Sequence, residues 1–362
     1  MPKNRVFAIG ASAGGVEALR EIFSGIPADF PGTILIVQHT PENGLGTLAD
    51  LLARRANIPV VLASDRLVMR HGMAYVAPPG RHMVASEDRL LLQAGPSVNR
   101  HRPAIDPLFR SVAEVFGRRS VGVILTGYLD DGTAGLIAIR EAGGIVIVQD
   151  PDDAAVPSMP LSALQYVTPD FCVPIGEIAS RMTALAKEDV ADSEPPPEPA
   201  KGKAMAPEKQ PSETQHNKQK TTKTQPGRNL AEVSPPIDPS IEPHNGKVSV
   251  FVCPECMGTL WEADNHDLLQ FRCRVGHTLS AETMYNGQAE NVEKALWTAV
   301  RVLQEHADLS LRLAERARKS GHQLAEMRFE DRFKEATRDL SMLTDLLTKT
   351  GLIDEQDAHT AD

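Results

Sequence analysis

Residue types that cooperate in nucleophilic hydrolysis occur in order over the first 131 residues. Ser12 lies in Gly10-Ala11-Ser12-Ala13-Gly14-Gly15. His39 closes the apolar run Ile34-Leu35-Ile36-Val37-Gln38-His39. Asp130 and Asp131 follow Ile124-Leu125-Thr126-Gly127. A serine hydroxyl attacks a carbonyl only when a base takes its proton, and that base needs a carboxylate to hold its tautomer. The Gly-x-Ser-x-Gly spacing suits a sharp strand-to-helix turn that exposes the hydroxyl. Backbone N–H groups at the helix start can then bind an oxyanion. Each piece also has an ordinary reading. The glycine-rich turn could hold a phosphate, although it lacks the second glycine of Gly-x-Gly-x-x-Gly and the Gly-Lys-Ser/Thr of a P-loop. His39 alone would be a hydrogen-bonded structural histidine, and Asp130 or Asp131 alone a helix N-cap. The ordered set favours a hydrolase, and the spacing does not choose between Asp130 and Asp131.

A second constellation lies near the other end. Cys253-Pro-Glu-Cys256 and Cys273-Arg-Val-Gly-His277 form Cys-x2-Cys-x16-Cys-x3-His. Three thiolates and one imidazole suit tetrahedral zinc, and with four protein donors the site is expected to be closed and structural. A unit of this size has too little core to fold alone, and metal would supply what is missing. Trp261, Leu268, Leu269 and Phe271 are expected to pack beside it. His266 is expected to be a loop residue and a possible extra donor. The fourth cysteine, Cys172, is most simply a buried apolar residue.

The elements that must position these groups can be read from periodicity. Short apolar runs, VFAIG (6–10), TILIVQH (33–39), PVVLAS (59–64), VGVILTG (121–127) and GIVIVQD (144–150), predict buried strands. Helical patterns follow Gly14 and cover 45–56, about 106–117 and 133–142. A hairpin built from AYVAPP, HMVAS and RLLLQ is expected around Glu87-Asp88. Continuous apolar strands alternating with helices predict an α/β fold with a doubly wound, mostly parallel sheet, whose ligand crevice lies beyond the carboxyl ends of the strands. The expected organisation is a catalytic domain over 1–186 and a disordered Pro/Lys/Glu-rich linker over 187–247. A small zinc-ribbon-like unit follows over 248–280, then an α-helical hairpin over 281–350 and a flexible tail over 351–362. In the hairpin, Val292, Leu296, Ala299, Leu303, Ala307, Leu311 and Ala314 form one stripe. Phe329, Phe333, Ala336, Leu340, Leu343 and Leu347 form another, with Gly321 between them. The hairpin packs on itself or on the zinc unit, or offers a helix to a partner or a second copy. The Arg312, Arg316, Arg318 and Lys319 cluster is expected to be solvated.

Composition narrows the function classes. With 38 Lys and Arg against 48 Asp and Glu, the formal net charge is -10, which disfavours a general nucleic-acid surface. No apolar run reaches the roughly 18 residues of a membrane span, and the N-terminus lacks a signal-peptide pattern. Four cysteines in 362 residues do not make a disulfide scaffold and suit a reducing cytoplasm.

Several separated motifs carry a resemblance over essentially all of residues 4–186. They are Ile9-Gly-Ala-Ser-Ala-Gly-Gly15, Val37-Gln-His-Thr40, Tyr75-Val-Ala-Pro-Pro-Gly80, His101-Arg-Pro103, Leu125-Thr-Gly127 with Asp131-Gly132, and Gln149-Asp-Pro151 followed by Val156-Pro-Ser-Met-Pro160. This stretch resembles the catalytic domain of the chemotaxis protein-glutamate methylesterases (CheB). The resemblance implies a cytoplasmic serine hydrolase, without a catalytic cofactor, that removes methyl groups from glutamyl esters of methyl-accepting chemotaxis-type receptors and can deamidate receptor glutamines. It implies Ser12 as nucleophile, His39 as base and Asp131, directly before Gly132, as the carboxylate. His71, His82 and His101 are then supporting or surface histidines, with His101 a candidate for the pocket. Two positions depart from the family pattern: Ala13 stands where Thr is common, and Gly127-Tyr128-Leu129 replaces Gly-Met-Gly, so the pocket wall differs. The family's usual N-terminal receiver domain has no counterpart before the first strand, so control by phosphorylation in cis is not expected. A different class of function, an adaptor that binds receptor tails without turnover, is the alternative.

Overall fold

Apolar runs bounded by glycine and polar residues become strands buried on both faces. In the computed structural model, residues 4–188, 247–265 and 268–349 are described, and the chain forms two compact units, Met1–Thr283 and Met284–Asp362. The linker expected over 187–247 lies almost wholly outside the described residues, as do His266 and the tail over 351–362.

The first unit opens with β1 (Val6–Ala11), α1 (Gly15–Gly25), β2 (Thr33–Gln38), α2 (Leu48–Ala53), β3 (Val60–Leu62), β4 (Leu67–Val68) and β5 (Met73–Val76). It continues through β6 (His82–Ser86), β7 (Arg89–Gln93), α3 (Ile105–Phe116), β8 (Ser120–Ile124) and α4 (Thr133–Glu141). Then come β9 (Ile145–Gln149), α5 (Ser158–Tyr166), β10 (Phe171–Val173) and α6 (Ile175–Lys187). Seven strands form one parallel sheet in the order β10-β9-β8-β1-β2-β5-β3. Side chains alternate between its faces. Phe7, Ile9, Ile34 and Ile36 enter one core with residues of α1, α2 and α6. Val6, Ala8, Leu35 and Val37 enter the other with residues of α3, α4 and α5. The chain leaves β1 toward β2 on one side and later returns to place β8 on the other, so the strand order reverses at β1. That reversal opens a crevice at the carboxyl end of β1.

The expected hairpin is present only as β6 and β7, turning at Glu87 and Asp88 with β4 added alongside. AYVAPP does not join it. Its Ala74–Val76 stretch is taken up by β5 between β2 and β3, because its residues are buried on both faces, as a central parallel strand requires. The second helix is shorter than 45–56. Gly46 adopts φ +66° and Leu45 is exposed, so the helix starts where Leu48, Ala49 and Leu52 can face the core. Cys172 is exposed rather than buried: on the edge strand β10 the alternation turns Val173 inward and Cys172 out.

The same unit includes a four-stranded antiparallel sheet, β11 (Lys247–Val252), β12 (Thr259–Asn265), β13 (Leu268–Cys273) and β14 (Thr278–Ser280), in that order. Leu268 and Phe271 are buried while Trp261 and Leu269 stay half-exposed, and Leu268 packs into the core that holds α3. Helix α7 (Ala281–Lys319) begins directly after β14, and α8 (Gln323–Lys349) follows it. They form a helical hairpin turned at Gly321, φ +74°. From Val300 onward the buried positions on α7 are Val300, Ala307, Ser310, Ala314 and Ala317, spaced by seven and then by three and four. Val292 and Leu311 of the expected stripe are exposed, because a 3.5-residue seam leaves them off its line. On α8 the expected stripe holds, with Ala336 and Leu347 buried. Arg318 is not merely solvated, since its guanidinium pairs with Glu326 and Glu330 of α8.

Candidate functional site

The carboxyl ends of β1, β2 and β8 converge where the strand order reverses. Ser12 follows β1, and its N–H donates to Thr126 O at 3.0 Å, just past β8. The turn that exposes its side chain needs glycine. Gly14 has φ +77°, and a side chain there would meet Ala155 and Thr126. At Gly15 a side chain would collide with the amide of Gln38. That amide donates to Ser12 O (2.7 Å) and His39 O (3.1 Å), fastening the two strand ends together. Thr126 adds a second brace: its hydroxyl donates to Ala13 O at 2.9 Å, while its own N–H is held by Gln149 Oε1.

The three side chains meet. His39 Nδ1 lies 3.1 Å from Ser12 Oγ, and His39 Nε2 lies 2.7 Å from Asp131 Oδ2. His39 and Asp131 are both buried at the side chain. With Nε2–H donated to the carboxylate, Nδ1 presents a lone pair to the hydroxyl. Asp131 Oδ2 also accepts the Ile105 N–H at 2.6 Å, and Oδ1 accepts from Asn99 Nδ2 at 2.9 Å and from the Asp106 N–H at 3.3 Å. Burial pushes this carboxyl up, but the His39 hydrogen bond and charge, with the Ile105 and Asn99 donors, outweigh it and hold it down to about 2. It is therefore ionised beside the imidazole at neutral pH.

Asp130 is not part of this chain of bonds. Its Oδ1 accepts from Ser280 Oγ (2.7 Å) and Thr283 Oγ1 (3.2 Å) instead. Burial raises its carboxyl to about 6. The other histidines divide by place. The His101 ring stacks on His39 with centroids 3.6 Å apart, and burial together with the His39 charge lowers it to about 4. His82 is fully buried and lowered by that burial to about 4; its Nε2–H donates to Pro96 O and its Nδ1 accepts the Ala104 N–H. His71 lies elsewhere, lining a separate cavity with Asn4, Thr33 and Arg119. A cleft of about 550 Å³ opens over Ser12 and His39 and is rimmed by Glu42, Arg100, His101 and Arg102. Arg102 pairs with Glu42 at 3.0 Å and donates to Gly95 O at 2.7 Å. Tyr128, where the motif departs from the family pattern, is largely exposed beside the Leu129 turn, φ 63°.

Three participants carried no signal in the sequence. Gln38 was visible only as part of a strand. Asn99 and Asp106 belong to a loop and a helix start and act mainly through distant partners: Asn99 Nδ2 reaches Asp131 as well as the nearby Asp106, and Asp106 Oδ1 accepts the Gly135 N–H at 2.7 Å.

The thiol–imidazole set also assembles. The donor atoms of Cys253, Cys256, Cys273 and His277 all lie within 4.8 Å of one another. Cys256 Sγ and Cys273 Sγ are 3.7 Å apart, and His277 Nδ1 is 3.7 Å from Cys253 Sγ and 3.5 Å from Cys273 Sγ. Zn–S bonds of about 2.3 Å and Zn–N of about 2.0 Å in a tetrahedron require edges of roughly 3.8 Å and 3.5 Å, so the set fits that ion. Two tight turns carry the donors, one closed by Met257 N–H to Cys253 O and one by Gly276 N–H to Cys273 O. His277 Nε2 faces Glu255 Oε2 at 3.6 Å, the carboxylate partner that orients a ligating imidazole.

A Ser–His–Asp hydrogen-bonded relay at the switch point of a doubly wound parallel sheet defines the class: an α/β protein with the apparatus of a serine hydrolase. Residues 7–182 match the family described as CheB methylesterase. Over 189 residues the chain is 41% identical to the protein-glutamate methylesterase/protein-glutamine glutaminase 1 of Xanthomonas campestris pv. campestris, covering 51% of this chain and 52% of that protein. It is 38% identical over 188 residues to the enzyme of that name from Escherichia coli, covering 51% and 54%. The chain thus spans about half the length of the curated relatives it matches. The Thermotoga maritima CheB methylesterase catalytic domain aligns with 51% of this chain and 100% of its own, at 30% identity and a TM-score of 0.49. Among the described residues, no helix is long and apolar enough to cross a membrane.

Proposed function

We propose that this protein is a protein-glutamate methylesterase acting in the cytoplasm on methyl-accepting chemotaxis-type receptors, with glutamine deamidation as a second activity of the same site. The observation that carries the reading is the unbroken path from Ser12 Oγ through His39 to Asp131 at the floor of an open cleft. Ser12 Oγ attacks the ester carbonyl while His39 Nδ1 takes its proton. Asp131 stabilises the imidazolium that forms. The N–H groups of the turn entering α1 receive the oxyanion. Collapse breaks the bond to methoxide, which leaves as methanol with the His39 proton. Water then repeats the sequence on the acyl-serine and releases the glutamate carboxylate. A glutamine side chain follows the same path with ammonia leaving. Arg100 and Arg102 at the rim favour a substrate segment rich in carboxylates. Structural zinc on the Cys3His set completes the fold of the second sheet and takes no part in the bond changes.

Methanol release from methyl-labelled receptor fractions tests this. The intact protein releases labelled methanol and Ser12→Ala does not. Receptor binding without release by the intact protein would replace the esterase with an adaptor.

A further inference from the structure

The loop between β7 and α3 is held on two sides. On one side it serves the relay: Asn99 Nδ2 donates to Asp131 Oδ1, and the His101 ring stacks on His39. On the other it is paired with the Cys3His sheet. Asn99 N–H donates to Thr278 O at 2.8 Å, Val98 forms a parallel bridge with Thr278, and the Ser280 N–H donates to Asn99 Oδ1 at 3.0 Å. Ser97 Oγ donates to Glu255 Oε2 at 2.6 Å, the same oxygen that faces His277 Nε2. Each attachment adjoins a pair of metal donors: Glu255 lies between Cys253 and Cys256, and Thr278 follows His277.

We infer that Asn99 is a positioning residue for the Asp131 carboxylate, and that a metal ion on Cys253, Cys256, Cys273 and His277 keeps Asn99 in place, so that ester turnover depends on metal occupancy of the second sheet. The inference rests on the esterase reading only for its kinetic arm. A carboxamide suits position 99 because it accepts one N–H from Ser280 while its two amide hydrogens go to two carboxylates, Asp131 and Asp106. Asn also tolerates the left-handed φ of 48° found there. Asp131 and Asp106 are both buried, and burial with the neighbouring Asp131 charge raises Asp106 to about 7. Asn99 is the neutral donor between them. Without it Asp131 turns or takes a proton, and His39 loses the acceptor that fixes its tautomer.

The dependence on metal follows from the small core of the second sheet. Among its described residues the buried apolar side chains are Cys253, Leu260, Leu268, Phe271, Cys273 and Leu279, two of them donors to the site. Such a core does not order four strands unaided. When the ion leaves, the Cys273–His277 turn loosens and β14 releases Asn99.

The test uses the full chain and a small aryl ester that needs no receptor docking. Chelation of the metal, followed by metal content, is expected to lower kcat about tenfold or more with KM nearly unchanged, since displaced positioning groups cost activity on that scale. Adding zinc restores it. Asn99→Ala, with metal retained, lowers kcat by a similar factor, and stripping that variant causes little further loss, because both changes break one linkage. The NMR signals of the His39 imidazole shift on chelation. Full kcat with unmoved His39 signals after stripping, or losses that multiply, overturn the inference. If no form hydrolyses any ester, the esterase reading fails, and the His39 signals alone decide whether the metal site is coupled to the relay.

Discussion

The two sheets of the first unit achieve order by different means. In the parallel sheet, β1, β2 and β8 are buried on both faces, and two apolar cores flank them. In the antiparallel sheet, β11 leaves Val248, Val250, Phe251 and Val252 exposed, and the buried positions cluster around the cysteines. The first sheet is held by the area it removes from water, whereas the second has a small core and is attached to its neighbour through Thr278 and Ser280. The difference decides where reactive polar groups can sit. A wide apolar frame tolerates the buried His39 and Asp131 because every polar atom of the relay finds a partner; in the small sheet the buried Gln270 and Ser280 are satisfied by Arg110 and Asp130, which belong to the α/β part of the unit.

Substitution of the nucleophile is expected to have the largest effect. Ser12→Ala should cut ester turnover by about 10⁴-fold or more, since relay members act as a unit, with the unfolding midpoint unchanged. Turnover near the wild-type rate would remove Ser12 from the chemistry. Next is Cys273→Ser, which should lose the metal and abolish hydrogen-exchange protection in β11–β14 while β1, β2 and β8 stay protected. Simultaneous loss in both sheets would mean that they are one cooperative unit and would break the comparison. Truncating the parallel core with Leu35→Ala, at a fully buried position, should cost about 3 kcal/mol in chemical unfolding without changing metal content.

Acid sharpens the contrast further. His82 and His101 are lowered by burial to about 4, so between about 6.5 and 4 the unfolded chain takes up protons that the folded rings refuse. Stability contributed by keeping them neutral is present above pH 6.5 and is lost as pH falls toward 4. Comparing urea unfolding at pH 7 and pH 4.5 should show it, with His82→Gln flattening the slope by up to roughly 3 kcal/mol. An unchanged slope would mean that His82 does not titrate as its burial requires. The smallest effect concerns the rim arginines: raising ionic strength should increase KM for an acidic receptor segment a few-fold and leave the small ester untouched. Equal sensitivity of both substrates would take Arg100 and Arg102 out of recognition.

Local chemistry made much of this legible in the sequence. The apolar runs of β1, β2, β8 and β9 are long enough to require burial on both faces, and glycine at positions 14 and 15 announces the turn that presents Ser12. The Cys-x2-Cys and Cys-x3-His spacings foretell donors that converge. What the sequence left open depended on long-range contacts. Asp130 and Asp131 are adjacent, chemically identical carboxylates, and only the packing of α3 against the β8–α4 turn sets Asp131 under His39 and Asp130 toward Ser280. Pairing partner, not composition, drew AYVAPP into the parallel sheet and put Cys172 on an open edge. Asn99 shows the limit most plainly. It is one asparagine in a loop, and its role exists only because a strand 179 or more residues later, starting at Thr278, delivers an N–H to one end of its amide while two buried carboxylates wait at the other. Sequence determines which groups can be donors, acceptors or ligands, whereas the fold decides which of them meet, because hydrogen bonds and ion pairs act over a few ångströms and the chain distance between partners carries no force.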